Sequence, residues 1–222
     1  MEEVQALEAF YSAMSAHYGP THWWPGDSPF EIAIGAILTQ NTAWTNVEKA
    51  IVNLKAARLM SPKQILSCSE TALETALRPS GYFSQKAKRV RGFCAHLETH
   101  YGGSVKRMAR RPLEELREEL IALHGIGPET ADDILLYACE KPVFVVDAYT
   151  RRIFGRHGLV PHGVKYEALR AFFEDRLAPD VARFKEYHGL IVWTGKDFCK
   201  TKPQCSRCPL ARYLRGGEPR LG

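Results

Sequence analysis

Between Leu123 and Asp147 the chain combines residues that can grip a phosphate with residues that can do acid–base chemistry. The stretch begins Leu-His-Gly-Ile-Gly-Pro-Glu-Thr-Ala-Asp and ends, after an apolar run, at Val145-Val146-Asp147. Gly125 and Gly127, either side of Ile126, allow a turn tight enough for another molecule to approach the backbone. Pro128 suits the first position of a helix, and the free amides of that first turn point outward. Such amides, together with the helix dipole, favour a bound phosphate. Thr130 follows in the same turn. Asp147 then adds a carboxylate that can stabilise developing positive charge and orient or deprotonate a water. It also precedes a helical run, Ala148 to His157, so it suits an N-cap. Glu129 is the unexpected member: the helix dipole favours an acid there, but the turn is otherwise built for an anion.

Three other groups of residues could carry chemistry. His22-Trp23-Trp24-Pro25-Gly26 places two tryptophans in a loop flanked by breakers. Tryptophans commonly anchor cores, but an electron-rich indole face also attracts a cationic ring. Gly81-Tyr82-Phe83-Ser84 leads into Gln85-Lys86-Ala87-Lys88-Arg89, a helix start whose basic residues suit phosphate contact. Cys199, Cys205 and Cys208 have metal-ligand spacing, whereas Cys68, Cys94 and Cys139 read as buried small hydrophobes.

The elements that position these residues read as helices. Val4, Leu7, Tyr11 and Met14 recur at helical spacing, as do Val90, Phe93, Cys94 and Leu97. Phe30 to Leu38 is apolar all round and suits a central buried helix. Gly and Pro clusters separate the segments. Only Val143 to Val146 is ambiguous with a strand, so the expected class is all-α.

At 222 residues the chain can bury a substantial core, and its formal net charge is +5. The charge is clustered: no Lys or Arg precedes Lys49, whereas Lys86 to Arg111 holds eight basic residues and one acid. This is the footprint of a nucleic-acid face. The acidic start, Met-Glu-Glu-Val, does not read as a secretory signal, and no apolar run is long enough to span a membrane. Six cysteines in a chain read as cytoplasmic, or nucleoid-associated in a prokaryote, argue against a disulfide framework.

From about Phe30 to Pro209 these motifs, in this order, resemble the endonuclease III superfamily of helix-hairpin-helix DNA glycosylases. The aromatic loop is closest to that of its 3-methyladenine DNA glycosylases. The resemblance implies two helical lobes, residues 29–143 and residues 1–28 with 144–222, with an active cleft between them. It implies a monomer that acts on double-stranded DNA containing a damaged base. Asp147 would be the catalytic carboxylate, and Glu129 would be a second catalytic candidate that binds the water or a pocket group. Glu129 stands where the endonuclease branch has a lysine that forms a Schiff base, so the resemblance implies base removal by water without strand cleavage.

Trp23, Trp24, Pro25 and Trp44 would form the pocket for a flipped base, and an alkylated purine is the expected substrate. Gln40 would fill the gap the base leaves, and Tyr82 would wedge between base pairs. Lys86, Gly125, Ile126, Gly127 and Thr130 would contact the backbone, with a monovalent cation as a candidate at the hairpin. The cysteines resemble a 4Fe-4S loop, but its fourth cysteine would fall near Leu214 and is missing. A cluster with one non-cysteine ligand, a metal-free loop, and a zinc site completed by His188 or another group all stay open. So do a bifunctional glycosylase/lyase for oxidised pyrimidines and a non-catalytic lesion-binding module.

Overall fold

The computed structural model describes residues 2–221, excepting the side chain of Arg215. It is built from α-helices with short 3-10 turns, and no strand occurs among the described residues. The chain divides into two compact units: a central one, Pro25–Lys141, and a terminal one, Met1–Trp24 with Pro142–Gly222.

The central unit begins with α2 (Pro29–Leu38), after α1 (Glu3–Tyr18) of the terminal unit. Ser28 caps α2 by accepting from the Glu31 amide at 3.2 Å, and Pro29 opens its first turn. Ile34, Ile37 and Leu38 are fully buried, as an apolar helix surface requires. α3 (Trp44–Ala56), α6 (Phe83–Tyr101) and α7 (Val105–Met108) pack on α2, while α4 (Pro62–Ser67) packs on α6 and α5 (Glu70–Leu77) packs on α3 and α6. The hairpin follows as α8 (Leu113–Ile121), a turn, and α9 (Pro128–Asp133), which continues into a buried π-helical stretch, Ile134–Ala138. Arg117 of α8 grips Asp132 of α9 through two bonds, of 2.7 and 3.1 Å, and both residues are buried. That bidentate pair fixes one hairpin helix on the other.

The terminal unit contains α1, α10 (Ala148–Arg156), α11 (Tyr166–Glu174) and α12 (Val181–Asp197). Its core is aromatic: Phe144 stacks on Phe173 with centroids 4.0 Å apart, and Phe10, Phe154, Phe184 and Tyr187 complete it. The buried Tyr187 hydroxyl donates to Leu7 O at 2.8 Å, tying α12 to α1. The ambiguous run Val143–Val146 is irregular and buried; its Phe144 amide donates to the Glu174 carboxylate at 2.8 Å rather than to a neighbouring strand.

Candidate active site

In the terminal unit the site is built at the start of α10. Asp147 is its N-cap, within the local sequence Asp-Ala-Tyr-Thr. Asp147 Oδ1 accepts from the Thr150 amide at 2.7 Å and from the Thr150 hydroxyl at 2.8 Å. The Asp147 amide donates back to Thr150 Oγ1 at 3.3 Å, completing a reciprocal cap. Asp147 Oδ2 points elsewhere, to His188 Nε2 of α12 at 3.8 Å. Burial would raise the carboxyl pKa, but His188 and the Thr150 bonds outweigh it and hold the group below its ordinary 3.8. The carboxylate is therefore ionised at neutral pH and still 14% exposed.

The same helix α12 docks the aromatic loop. Glu186 receives two bonds from Thr21, one from its amide and one from its hydroxyl, each of 2.9 Å. Gly189 lets the loop lie flat: a Cβ there would come 2.5 Å from Thr21 Oγ1 and 2.7 Å from Trp23 Cβ. Trp23 and Trp24 are half-buried, with ring centroids 5.9 Å apart and planes tilted by 59°. Pro25 is exposed. Farther along α12, Gly195 leaves room for Tyr149 of α10, whose ring a Cβ would meet at 2.3 Å. Thr21, Thr150, Glu186 and the two glycines were not singled out from sequence. Glu186 and Thr21 are 165 residues apart, and no local pattern marks such a pair.

In the central unit the hairpin turn is organised by side chains from α6 and the end of α2. Gly125 has φ +79°, a conformation that favours glycine, and the Arg89 side chain lies where its Cβ would be. Gln40 Nε2 donates to Gly125 O at 3.0 Å and to Thr130 Oγ1 at 2.9 Å, while its Oε1 accepts from Arg89. Gln40, Gly125 and Thr130 are thus brought together, with the Gln40 amide engaged at both ends. Ile126 is buried, Gly127 is exposed, and Glu129 is exposed in the first turn of α9. Of the turn's carbonyls, Leu123 O and Gly125 O already accept hydrogen bonds, and Arg89 brings positive charge.

Tyr82 is 72% exposed, with a left-handed backbone at φ 44°, just before α6. It is presented to solvent rather than packed on the core. Trp44 opens α3 and donates its indole N–H to Glu48 at 2.9 Å.

Lys86 departs from its expected role in phosphate contact. Its side chain is fully buried, and Nζ donates to Leu38 O at 2.9 Å and Ser80 O at 2.6 Å. Burial lowers its pKa to about 8. The reason is helical phase: Lys86 shares the apolar face of Val90, Phe93 and Leu97, whereas Lys88 is exposed. That spacing was the signal available in the sequence.

Cys199, Cys205 and Cys208 line one pocket with Arg156, His157, Leu210 and Leu214. Buried Arg156 donates to Cys199 Sγ at 3.3 Å, to Lys200 O at 2.6 Å and to Thr201 O at 3.0 Å. Burial pushes the Cys208 thiol to about 11 and also raises Cys205. Among the described residues, no three His, Cys, Asp or Glu side chains are grouped to hold a metal ion. With a leucine at the fourth position, the three cysteines do not supply the four thiolates of a cubane cluster. His188 faces Asp147 rather than lining this pocket.

Comparison with known proteins gives consistent matches. A family model described as "HhH-GPD superfamily base excision DNA repair protein" matches residues 34–179. A protein of Methanocaldococcus jannaschii, named as a candidate DNA repair glycosylase, is 42% identical over 213 residues, covering 95% of this chain and 96% of its own. The structure of Helicobacter pylori 3-methyladenine DNA glycosylase bound to 1,N6-ethenoadenine superposes with a TM-score of 0.74 at 30% identity, covering 88% of this chain and 98% of that one. A trapped covalent intermediate of endonuclease III with DNA gives a TM-score of 0.83 at 24% identity, with 98% of each chain covered, and so shares the fold.

Proposed function

The chain belongs to the HhH-GPD superfamily of base excision DNA repair proteins and is a DNA glycosylase, and we propose that it is a monofunctional one acting on an alkylated purine such as 3-methyladenine. In this reading, water releases the base and the strand stays intact. The observation that carries the absence of lyase chemistry is Glu129, a carboxylate in the first turn of α9 where an attacking amine would be needed.

Asp147 performs the chemistry. As the glycosidic bond lengthens, positive charge builds on the sugar, and an ionised carboxylate beside it lowers the barrier. Oδ1 is committed to the cap, so Oδ2 is the oxygen left to face the sugar and a water. The hairpin amides of Gly125 and Gly127 hold a backbone phosphate, and Tyr82 occupies the space opened in the duplex. Support for the alkylated base comes from the indoles of Trp23 and Trp24, in the loop whose Thr21 is bonded to Glu186 of α12. A methylated purine nucleotide carries ring charge, which an indole face attracts. The likeness to the H. pylori enzyme agrees.

The test is base release from duplexes carrying methylated purines or thymine glycol. Release of 3-methyladenine is expected. Release confined to thymine glycol would replace this substrate reading with the oxidised-pyrimidine one.

A further inference from the structure

A carboxylate held at one oxygen is not yet aimed. The last torsion of an aspartate is broad, so a cap on Oδ1 alone lets the carboxylate plane swing. Both bonds to Asp147 Oδ1 come from Thr150, one residue on the same helix. The group that faces Oδ2 comes from a different element: His188 Nε2, 3.8 Å away on α12. His188 is 4% exposed, so its ring is set by packing rather than by solvent. Its chain neighbours Glu186 and Gly189 are the residues that seat the Thr21–Trp23 segment. One helix therefore sets both the carboxylate and the aromatic loop.

We infer that His188 is a positioning residue for Asp147, fixing the plane of its carboxylate through Oδ2. The inference rests on the reading of Asp147 as the catalytic carboxylate. An ionised carboxylate only accepts hydrogen bonds, so His188 must carry a hydrogen on Nε2 to serve. The separation of 3.8 Å is longer than a hydrogen bond, and such contacts commonly tighten when substrate is bound. For stability alone an apolar side chain would serve, since a buried polar pair gains little over a hydrophobic one.

His188→Gln and His188→Asn separate this role from packing. A glutamine amide reaches the place of Nε2, and an asparagine amide reaches only that of Nδ1. The readouts are single-turnover base release from methylated duplex DNA, affinity for the same DNA, and thermal unfolding. His188→Asn should slow base release by about 10–100-fold, with DNA affinity kept within about twofold. His188→Gln should recover most of that loss. Equal rates in the two variants would overturn the inference, as would a loss that tracks weakened binding or unfolding. Asp147→Asn is the internal control: if it stays active, the Asp147 reading itself falls. If it is inactive while His188→Asn matches wild type, only the role of His188 falls. In the unmodified protein, imidazole 15N NMR should show the Nε2–H form. A hydrogen on Nδ1 alone would also overturn the inference.

Discussion

At the scale of single residues, Asp147 has two jobs that one substitution can separate. Asparagine caps helices about as well as aspartate, so Asp147→Asn should leave the fold intact. Without the charge, base release should fall by about 10²–10⁴-fold while DNA affinity is retained, as single-turnover and binding assays would show. The direction of the Asp147 pKa also sets a pH profile. Because His188 and Thr150 hold the carboxyl below 3.8, it stays ionised as pH falls through the weakly acidic range. Enzymatic base release, corrected for spontaneous loss, should therefore show no acid limb from Asp147 between pH 8 and about pH 5. The same sign governs stability: this contribution is present above the unfolded value and is lost as pH falls through the lower folded one.

At the scale of elements, helical phase and glycine placement decide which residues face what. Lys86 and Lys88 make the contrast on α6. Lys86→Met would leave the buried carbonyls of Leu38 and Ser80 without their donor, costing about 1–3 kcal/mol for each. Urea unfolding should register that loss, while the salt dependence of DNA binding stays unchanged. Lys88→Ala should do the reverse, leaving stability alone and lowering the salt slope by about 1 if Lys88 meets a phosphate. On α12, Gly189→Ala would drive a Cβ against Thr21 and Trp23. Base release should drop about tenfold or more, with DNA affinity kept, because the aromatic loop is displaced while the hairpin is untouched.

Local pattern carried the helices, the hairpin and the Asp147 cap, because each is specified by neighbours a few residues apart. Its limit is visible at Lys86, where a basic residue near a proposed DNA face was read by charge although its spacing to Val90 and Phe93 marked it as buried. The pairings of Thr21 with Glu186, of Asp147 with His188 and of Gln40 with Gly125 join segments distant in sequence. Only the folded chain brings them together, so their residue types carried no signal.

At the scale of the whole molecule, the sequence matches proteins that cleave DNA strands and proteins that release bases on nearly the same backbone. The fold alone therefore does not decide the reaction. We propose that the difference lies in whether the hairpin helix presents an amine or, as here, the carboxylate of Glu129. In the cysteine pocket, Arg156 holds the loop through the backbone carbonyls of Lys200 and Thr201. The most direct measurement is borohydride trapping on methylated duplex DNA, with base release and strand nicking scored in parallel. The account predicts released base, no covalent protein–DNA adduct, and strand breaks only after alkali. A trapped adduct, or nicking at the pace of base release, would contradict it.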